Sequence, residues 1–263
     1  MVHQASQGTL RLVNKSVIDD SSTMWENDEV QVRIPFSIAG VGTTIILTSK
    51  FTGKIMLLDV GDGALRDLLQ MGNIDFVNDI DPIALSHGHF DHIGGLYTLL
   101  GFMRMMGRTT PLNILIPKGC IQAISVIKGY REIHRATLPY TIWYHELSQG
   151  SGFDTDFFKV KSIEVEHFSL ESDSGEGLLE PALGFRIGVG GTVVGYTGDT
   201  RLCPGAEAAV RDTDLAIIEA TRKRTPASGH RVHLSLSEAN DLGKLAKEFI
   251  LIHKIPEAYL QKP

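Results

Sequence analysis

The chain has 263 residues, of which 43% are hydrophobic and 21% charged, and this composition is typical of a globular protein with a large core. Its formal net charge of −6 excludes a protein that holds nucleic acid over a broad basic face, so any such contact has to use a local basic patch. No stretch of the sequence approaches the roughly 18–20 apolar residues that a membrane span requires.

The amino terminus has no basic segment followed by an apolar run, which predicts that there is no signal peptide, and we expect a cytoplasmic location. Residues 1–25 are weakly patterned, and we expect them to be partly flexible. Length alone allows one or two domains. We expect residues 1–263 to form a single domain, because layered α/β proteins often reach this size as one.

Hydrophobic periodicity predicts strands that pair first in hairpins and then alternate with helices. This order indicates an α/β protein with mixed sheets flanked by helices, although periodicity does not separate two stacked sheets from one open sheet. The predicted strands are Val30–Phe36, Thr43–Thr48, Lys54–Asp59, Asp81–Ser86, Leu112–Pro117, Thr141–His145, Phe157–Glu166, Leu183–Val189, Thr192–Thr197, Leu215–Ala220 and Ile250–Ile252. The predicted helices are Gly61–Met71, Asp91–Gly107, Gly119–Tyr130 and Ser237–Phe249.

The most informative segment directly follows the strand that ends at Ser86, where four potential metal ligands occur within six residues. His87 and His89 are two positions apart, so both can point towards one ion. Asp91 and His92 open the next helix, where an aspartate can cap the helix or supply a hard oxygen ligand. Any one of these residues alone is more often a surface or capping residue than a ligand. Four of them at this spacing make a metal site the better interpretation.

This segment resembles the HxHxDH signature of the metallo-β-lactamase superfamily, and the resemblance extends over about residues 40 to 255. It implies a four-layer αββα sandwich, in which two mixed sheets are flanked by helices. It also implies two divalent metal ions in one active site, and imidazole with carboxylate ligands favours Zn²⁺, with Mn²⁺ or Fe²⁺ as alternatives. The implied ligands are His87, His89 and His167 for the first ion, Asp91, His92 and His253 for the second, and Asp199 as a bridge, with Asp59 supporting the ligands from behind.

Two further features are similar to ribonuclease Z within the superfamily. The segment from Arg108 to Gly119 follows its Arg-x-x-Pro-Leu pattern, and the order Glu219-Ala220-Thr221, His233-Leu234-Ser235, Glu238-Ala239 and Ile252-His253 follows its later motifs. The resemblance implies a phosphodiesterase or endoribonuclease that uses a metal-bridging hydroxide and acts on a phosphodiester, RNA included. Family members are commonly dimers, so we also expect a homodimer.

Two residues are the catalytic candidates. Asp91 is one of them, besides its place among the ligands, and His233 is placed like the histidine that gives a proton to the leaving group in ribonuclease Z. Helix capping or substrate positioning is the other interpretation of His233, and His230 is an alternative proton donor. The basic run Arg222-Lys223-Arg224 either contacts phosphates or forms a solvated loop.

Two other functions fit the same fold. A small-molecule ester or lactone hydrolase would use the same metals with a differently shaped pocket. The Pro-Gly-His turn typical of glyoxalase II and the lactonases is absent around His167, which argues against it. A binding subunit without activity is the third hypothesis, but such a protein would be expected to have lost metal ligands.

Overall fold

A seven-stranded mixed sheet forms the first layer of strands in this computed structural model, which describes residues 23–169, 177–225 and 231–256. Among these residues, its strands are neighbours in the order in which they occur along the chain. The first four strands pair antiparallel and the fourth to the seventh pair parallel. The strands are β1 Thr23–Glu26, β2 Val30–Ile38, β3 Gly42–Ser49, β4 Ile55–Val60, β5 Ile80–Ala84, β6 Leu112–Pro117 and β7 Ile142–Leu147.

The second sheet is built from the later part of the chain. Its strands are β8 Gly152–Asp154, β9 Lys159–Glu164, β12 Leu183–Val189, β13 Thr192–Tyr196, β14 Leu215–Glu219 and β15 Glu248–Ile252, and their order in the sheet is β15-β14-β13-β12-β9-β8. The strands from β13 to β15 are parallel, and β12 and β13 form a hairpin. A separate antiparallel pair consists of β10 His167–Phe168 and β11 Leu179–Glu180.

Three apolar clusters lie between the four layers of helices and sheets that form the fold. The side chains of strand β3 alternate between the two faces of the first sheet. Ile46 packs with the helices beside this sheet, whereas Ile45 and Leu47 pack against the second sheet. A third cluster joins the second sheet to the helices on its far side. The four-layer αββα sandwich predicted from the sequence is therefore confirmed. The helices are α1 Ala64–Leu69, α2 Phe76–Asp79, α3 Phe90–Ile93, α4 Leu96–Met105, α5 Ile121–His134, α6 Pro204–Val210 and α7 Leu236–Gly243.

The predicted helix Asp91–Gly107 is wrong in one respect, because it is broken into α3 and α4 at Gly94 and Gly95. The backbone N–H of Gly95 donates to the carbonyl of Val60, at the end of β4, with an N–O distance of 3.0 Å. A Cβ atom at Gly95 would lie 2.3 Å from the carbonyl oxygen of Gly61, so only glycine allows this close approach. The break results from this tertiary contact, and helical periodicity does not reveal such contacts.

The predicted helix Ser237–Phe249 is also too long, since α7 ends at Gly243 and Phe249 belongs to β15. The ring of Phe249 packs on Gly243, where a Cβ atom would lie 2.5 Å from it. The predicted strand Phe157–Glu166 is shortened to β9, and α2, α6 and several short strands were not predicted. Among the described residues, no helix is long and apolar enough to cross a membrane.

Candidate metal centre

The candidate ligands meet at one edge of the sandwich because most of them follow the carboxyl ends of strands. His87 comes three residues after β5, and His89 and Asp91 flank the start of α3. In the second half of the chain, Asp199 follows β13 and His253 directly follows β15. Parallel strands end at the same edge of a sheet, so residues that are far apart in sequence come together there. Their side chains are buried, apart from that of His89.

The first group of donors consists of His87, His89 and His167, whose ligand atoms all lie within 4.8 Å of one another. Nε2 of His167 lies 3.1 Å from Nδ1 of His89. The three imidazole rings surround one point, with centroids 4.6–4.8 Å apart. The structure thus brings together the three residues that the sequence predicts for the first ion.

The second group consists of Asp91, His92 and His253. Nε2 of His253 lies 3.2 Å from Oδ2 of Asp91 and 3.3 Å from Nε2 of His92. The backbone N–H of Gly40 donates to the same Oδ2 atom at 2.7 Å and fixes the carboxylate of Asp91. The three residues predicted for the second ion are therefore also adjacent.

Asp199 lies between the two groups. Its Oδ2 atom is 3.3 Å from Nε2 of both His92 and His253 in the second group. The same oxygen is 3.9 Å from Nε2 of His87 in the first group. One carboxylate thus contacts both groups, which is the position that a bridging ligand requires.

The chemistry of these donors fits divalent cations. Nε2 of His87 and Oδ1 of Asp199 are buried and have no hydrogen-bond partner among the described residues, so each has a lone pair available for a metal. Ligand atoms of a tetrahedral zinc site, with Zn–N bonds of about 2.0–2.1 Å, lie roughly 3.3–3.4 Å apart. The separations of 3.1–3.3 Å between the histidine nitrogens here are similar. Two groups that share Asp199 accommodate two ions.

A second layer of hydrogen bonds orients the imidazoles through their other nitrogen atoms, as is usual for metal-binding histidines. Nδ1 of His92 lies 2.8 Å from Oδ2 of Asp59, and that oxygen also accepts a hydrogen bond from the hydroxyl of Tyr196. Oδ1 of Asp59 accepts from the backbone N–H of Ser86. Asp59 therefore occupies the place expected of a supporting residue, and its effect on metal binding stays a prediction. The remaining contacts join His87 to Ser86, His253 to Thr221 and His89 to Glu180.

Two of these residues have an unusual backbone conformation. Asp59 and His253 adopt φ values of 59° and 56°, in the left-handed region that side chains rarely occupy. Such conformations cost of order 1–3 kcal/mol each and persist where the surrounding structure imposes them. Both residues lie at strand ends beside the donor groups, so the surrounding hydrogen bonds hold them in the conformation that the site requires.

Burial and charge divide the histidines into two classes in the metal-free protein. Burial lowers the pKa of His87 well below its ordinary value and lowers the pKa of His167 to about 4, so both are neutral. Burial also opposes protonation of His92. The charges of Asp199 and Asp59 outweigh this effect and raise the pKa of His92 well above its ordinary value. A metal ion in the second group therefore has to displace a proton from His92.

His233 lies beside the second group without belonging to its three donors, although its ligand atom lies within 4.8 Å of those of Asp199 and His253 and could join them around an ion. Its Nδ1 atom is 3.0 Å from Oε1 of Glu219 and 3.8 Å from Oδ2 of Asp199. Burial lowers the pKa of His233, but the carboxylates of Glu219 and Asp199 outweigh burial and raise that pKa to about 8. The sequence did not single out Glu219 or Glu180 as site residues, although Glu219 forms part of a motif that resembles ribonuclease Z.

An open cavity of about 470 Å³ gives access to the donor groups. The described residues that line it do not include Arg222, Lys223 or Arg224, and His230 lies outside the described residues. The lining residues are Ala39, Gly40, His89, Phe90, Asp91, Phe168, Ser169, Glu180, Asp199, Val232, His233 and His253.

The family of the chain follows from a match over three quarters of its length. Residues 57–253, which contain every donor described above, match the sequence profile of the family "Beta-lactamase superfamily domain". The chain belongs to this superfamily. The family that the HxHxDH segment predicted is thereby confirmed.

Individual proteins of this superfamily are similar to the chain in sequence or in structure. The chain is 29% identical over 246 residues to a protein named Ribonuclease Z from Pyrococcus abyssi, and the match covers 79% of each chain. Among solved structures, human tRNase Z, short form, matches with a TM-score of 0.67 at 22% identity, over 86% of this chain and 93% of that one. The metallo-β-lactamase fold protein YhfI from Bacillus subtilis matches with the same TM-score at 19% identity, over 87% and 88%. At these identities the two structures bear on the fold alone.

Proposed function

We propose that this protein is a dinuclear metal-dependent phosphodiesterase that cleaves RNA, like the ribonuclease Z proteins to which it is similar. The observation that carries the proposal is the pair of three-residue donor groups with the carboxylate of Asp199 in contact with both. The similarity to Ribonuclease Z from Pyrococcus abyssi, which spans most of both chains, supports a phosphodiester as the substrate. RNA is the substrate that this name implies.

We assign the ions to the donors as the sequence suggests. His87, His89 and His167 hold one ion, Asp91, His92 and His253 hold the other, and Asp199 contacts both. Five imidazoles with two carboxylates favour zinc, and manganese or iron are alternatives. When bound, two such ions supply a water of lowered pKa and positive charge for the phosphoryl oxygens. Gly40 holds the carboxylate of Asp91 in place through its backbone N–H.

His233 is our candidate for the group that gives a proton to the leaving oxygen. Its Nδ1 atom contacts Glu219, while the residue itself lines the cavity. An imidazole held in this way keeps Nε2 available to carry a proton. Because the two donor groups provide six ligands and Asp199 a seventh, His233 is not needed to hold a metal.

Neither alternative function has an observation of its own in its favour. An ester or lactone hydrolase would use the same donors, but the named relatives are ribonuclease Z proteins. A binding subunit without activity is disfavoured because all seven donors converge at one edge of the fold.

The decisive experiment compares three substrates of the zinc-loaded protein: a transfer-RNA precursor with a 3′ extension, bis(p-nitrophenyl) phosphate and an acyl lactone. We expect cleavage of the precursor and of the diester, with lactone hydrolysis much slower. Asp199→Ala is the negative control, since it removes the carboxylate that both groups share. Efficient lactone hydrolysis with no detectable cleavage of either phosphodiester would contradict the proposal.

Three further expectations from the sequence stay predictions. We propose a single domain, because the cluster between the sheets draws buried residues from both halves of the chain, such as Leu58 and Phe185. A homodimer and a cytoplasmic location are expected for a protein of this type. Size-exclusion chromatography with light scattering and cell fractionation test these two expectations.

A further inference from the structure

The side chain of Phe90 stands out at the mouth of the candidate metal centre. It is 66% exposed, yet it lines the same cavity as the metal-binding candidates. A single exposed apolar side chain is common on protein surfaces and by itself indicates nothing. Phe90, however, lies between His89 of the first donor group and Asp91 of the second, so its exposed ring stands next to both groups.

The backbone around Phe90 is held in place. Its carbonyl accepts a hydrogen bond from the N–H of Gly94 at 2.7 Å, and it is the first residue of α3. A Cβ atom at Gly94 would lie 2.5 Å from that carbonyl, so the helical turn is tightly packed on itself. The residue that carries the ring is therefore fixed relative to both donor groups.

Phe168 lines the same cavity, and the contacts of its ring differ from those of Phe90. It follows His167 directly, as Phe90 follows His89. The guanidinium of Arg201 lies 4.6 Å from the centroid of the Phe168 ring, and Glu166 holds that guanidinium. For Phe90, no ring stacking and no cation–π contact occurs within the described part of the chain. Its ring is thus open to a ligand that enters the cavity.

We propose that Phe90 is a stacking platform for a nucleobase next to the scissile phosphate, an inference that rests on the proposed function. Every base has a flat face that stacks on an aromatic ring, and such stacking does not depend on sequence. A chain with a net charge of −6 cannot gain much affinity for RNA from contacts spread over a basic surface. Stacking supplies affinity without charge, and it would orient a nucleotide whose phosphate meets the metal ions. The site therefore prefers a nucleoside phosphodiester to a diester without a base.

The test compares ligands that share a phosphate and differ in the base. Binding of uridine 5′-monophosphate and of ribose 5-phosphate to the zinc-loaded protein is measured by calorimetry for the wild type, Phe90→Ala and Phe90→Trp. We expect Phe90→Ala to weaken binding of the nucleotide by roughly 5- to 100-fold and to change binding of ribose 5-phosphate by less than about twofold. Phe90→Trp should retain nucleotide binding. The matched control is Phe51→Ala, which removes a phenylalanine that is 72% exposed on a remote turn.

Kinetics provide the second measurement. Uridine 5′-(p-nitrophenyl) phosphate and ribose 5-(p-nitrophenyl) phosphate have the same leaving group and the same sugar, so their ratio of kcat/KM isolates the base. Phe90→Ala should lower this ratio by a factor similar to the loss in binding. Equal losses on both substrates, or equal weakening of both ligands, would overturn the stacking proposal. Absence of turnover in the wild type together with selective loss of nucleotide binding in Phe90→Ala would refute the proposed function and leave the stacking site standing.

Discussion

Nδ1 of His233 lies 3.0 Å from Oε1 of Glu219, a buried carboxylate that contacts no cation of Lys or Arg among the described residues. That oxygen also accepts hydrogen bonds from the backbone N–H groups of Thr200 and Leu234, each at 3.1 Å. The carboxylate is therefore fixed by the backbone on both sides. It fixes in turn the plane and the tautomer of the imidazole, with the proton of Nδ1 directed at Glu219.

The first prediction separates proton donation from metal binding. His233→Ala should retain both metal ions and lower kcat on an ordinary nucleotide diester by roughly 10²-fold or more, because an alkoxide leaves poorly without a proton. The loss on a p-nitrophenyl diester should be much smaller, since p-nitrophenolate leaves almost unaided. Steady-state kinetics on both substrates and elemental analysis of the mutant measure these effects. Equal losses would indicate positioning, and loss of a metal ion would mean that His233 is a ligand.

The second prediction concerns metal content. The native protein should contain close to two divalent ions per chain, because there are two donor groups and Asp199 contacts both. Asp199→Ala should lose much of this metal, since one change removes a donor from both groups. His134→Ala is the matched control, because His134 lies near the end of α5 beside Tyr130, outside the donor groups. Elemental analysis of each protein after reloading with zinc measures the metal content. A content near zero in the wild type would refute the site.

The third prediction concerns pH. The pKa of His92 is raised well above its ordinary value in the metal-free protein, so near neutral pH the second group binds a metal only by releasing the proton of His92. Affinity for the second ion should therefore rise with pH, by up to about tenfold per unit below that pKa. Calorimetry of zinc binding in two buffers with different ionisation enthalpies measures the released proton. Proton release that is zero at neutral pH would show that His92 is already neutral without metal.

The fourth prediction concerns the stability of the fold. Arg108 is fully buried, and its guanidinium donates to the carbonyls of Val77, Ile80, Thr110 and Pro111 at 2.6–2.8 Å. The ammonium group of lysine cannot donate to all four carbonyls at once, so Arg108→Lys should lower the free energy of unfolding by about 2–4 kcal/mol. Urea denaturation of the metal-loaded protein measures the loss. The exposed Arg131→Lys is the control and should change stability by less than about 0.5 kcal/mol. An equal, small effect of both changes would contradict this role of Arg108.

The sequence predicted the donors that are close together in the chain because their geometry is local. His87 and His89 leave one strand, and Asp91 and His92 open one helix, so spacing alone places all four at one point. His167, Asp199 and His253 required the resemblance to a family, since only the assembled sheets bring them to the same edge. The fold class was predictable for the same reason: strand and helix periodicity is local, whereas the layering was implied by the resemblance.

Apart from Asp59, which the family resemblance implied, the supporting residues were not predictable from the sequence. Glu180 contacts His89 across 91 positions of sequence, and only the pairing of β10 with β11 places it there. The break at Gly95 depends on its contacts with Val60 and Gly61, which helical periodicity does not register. Arg108 belongs to a segment that resembles ribonuclease Z, but its contacts show that it holds backbone carbonyls in the interior.

The division of the donors between the two halves of the chain has a consequence for how the protein matures. His87, His89, Asp91 and His92 come from the first half, and His167, Asp199 and His253 come from the second, so neither half alone has a complete set for either ion. Ions bound as we propose would each cross-link the two halves, and their binding free energy would add to the stability of the docked arrangement. A chain that still lacks the residues after β15 lacks His253 and thus one of the three donors proposed for the second ion, and extraction of the ions should weaken the union of the two halves.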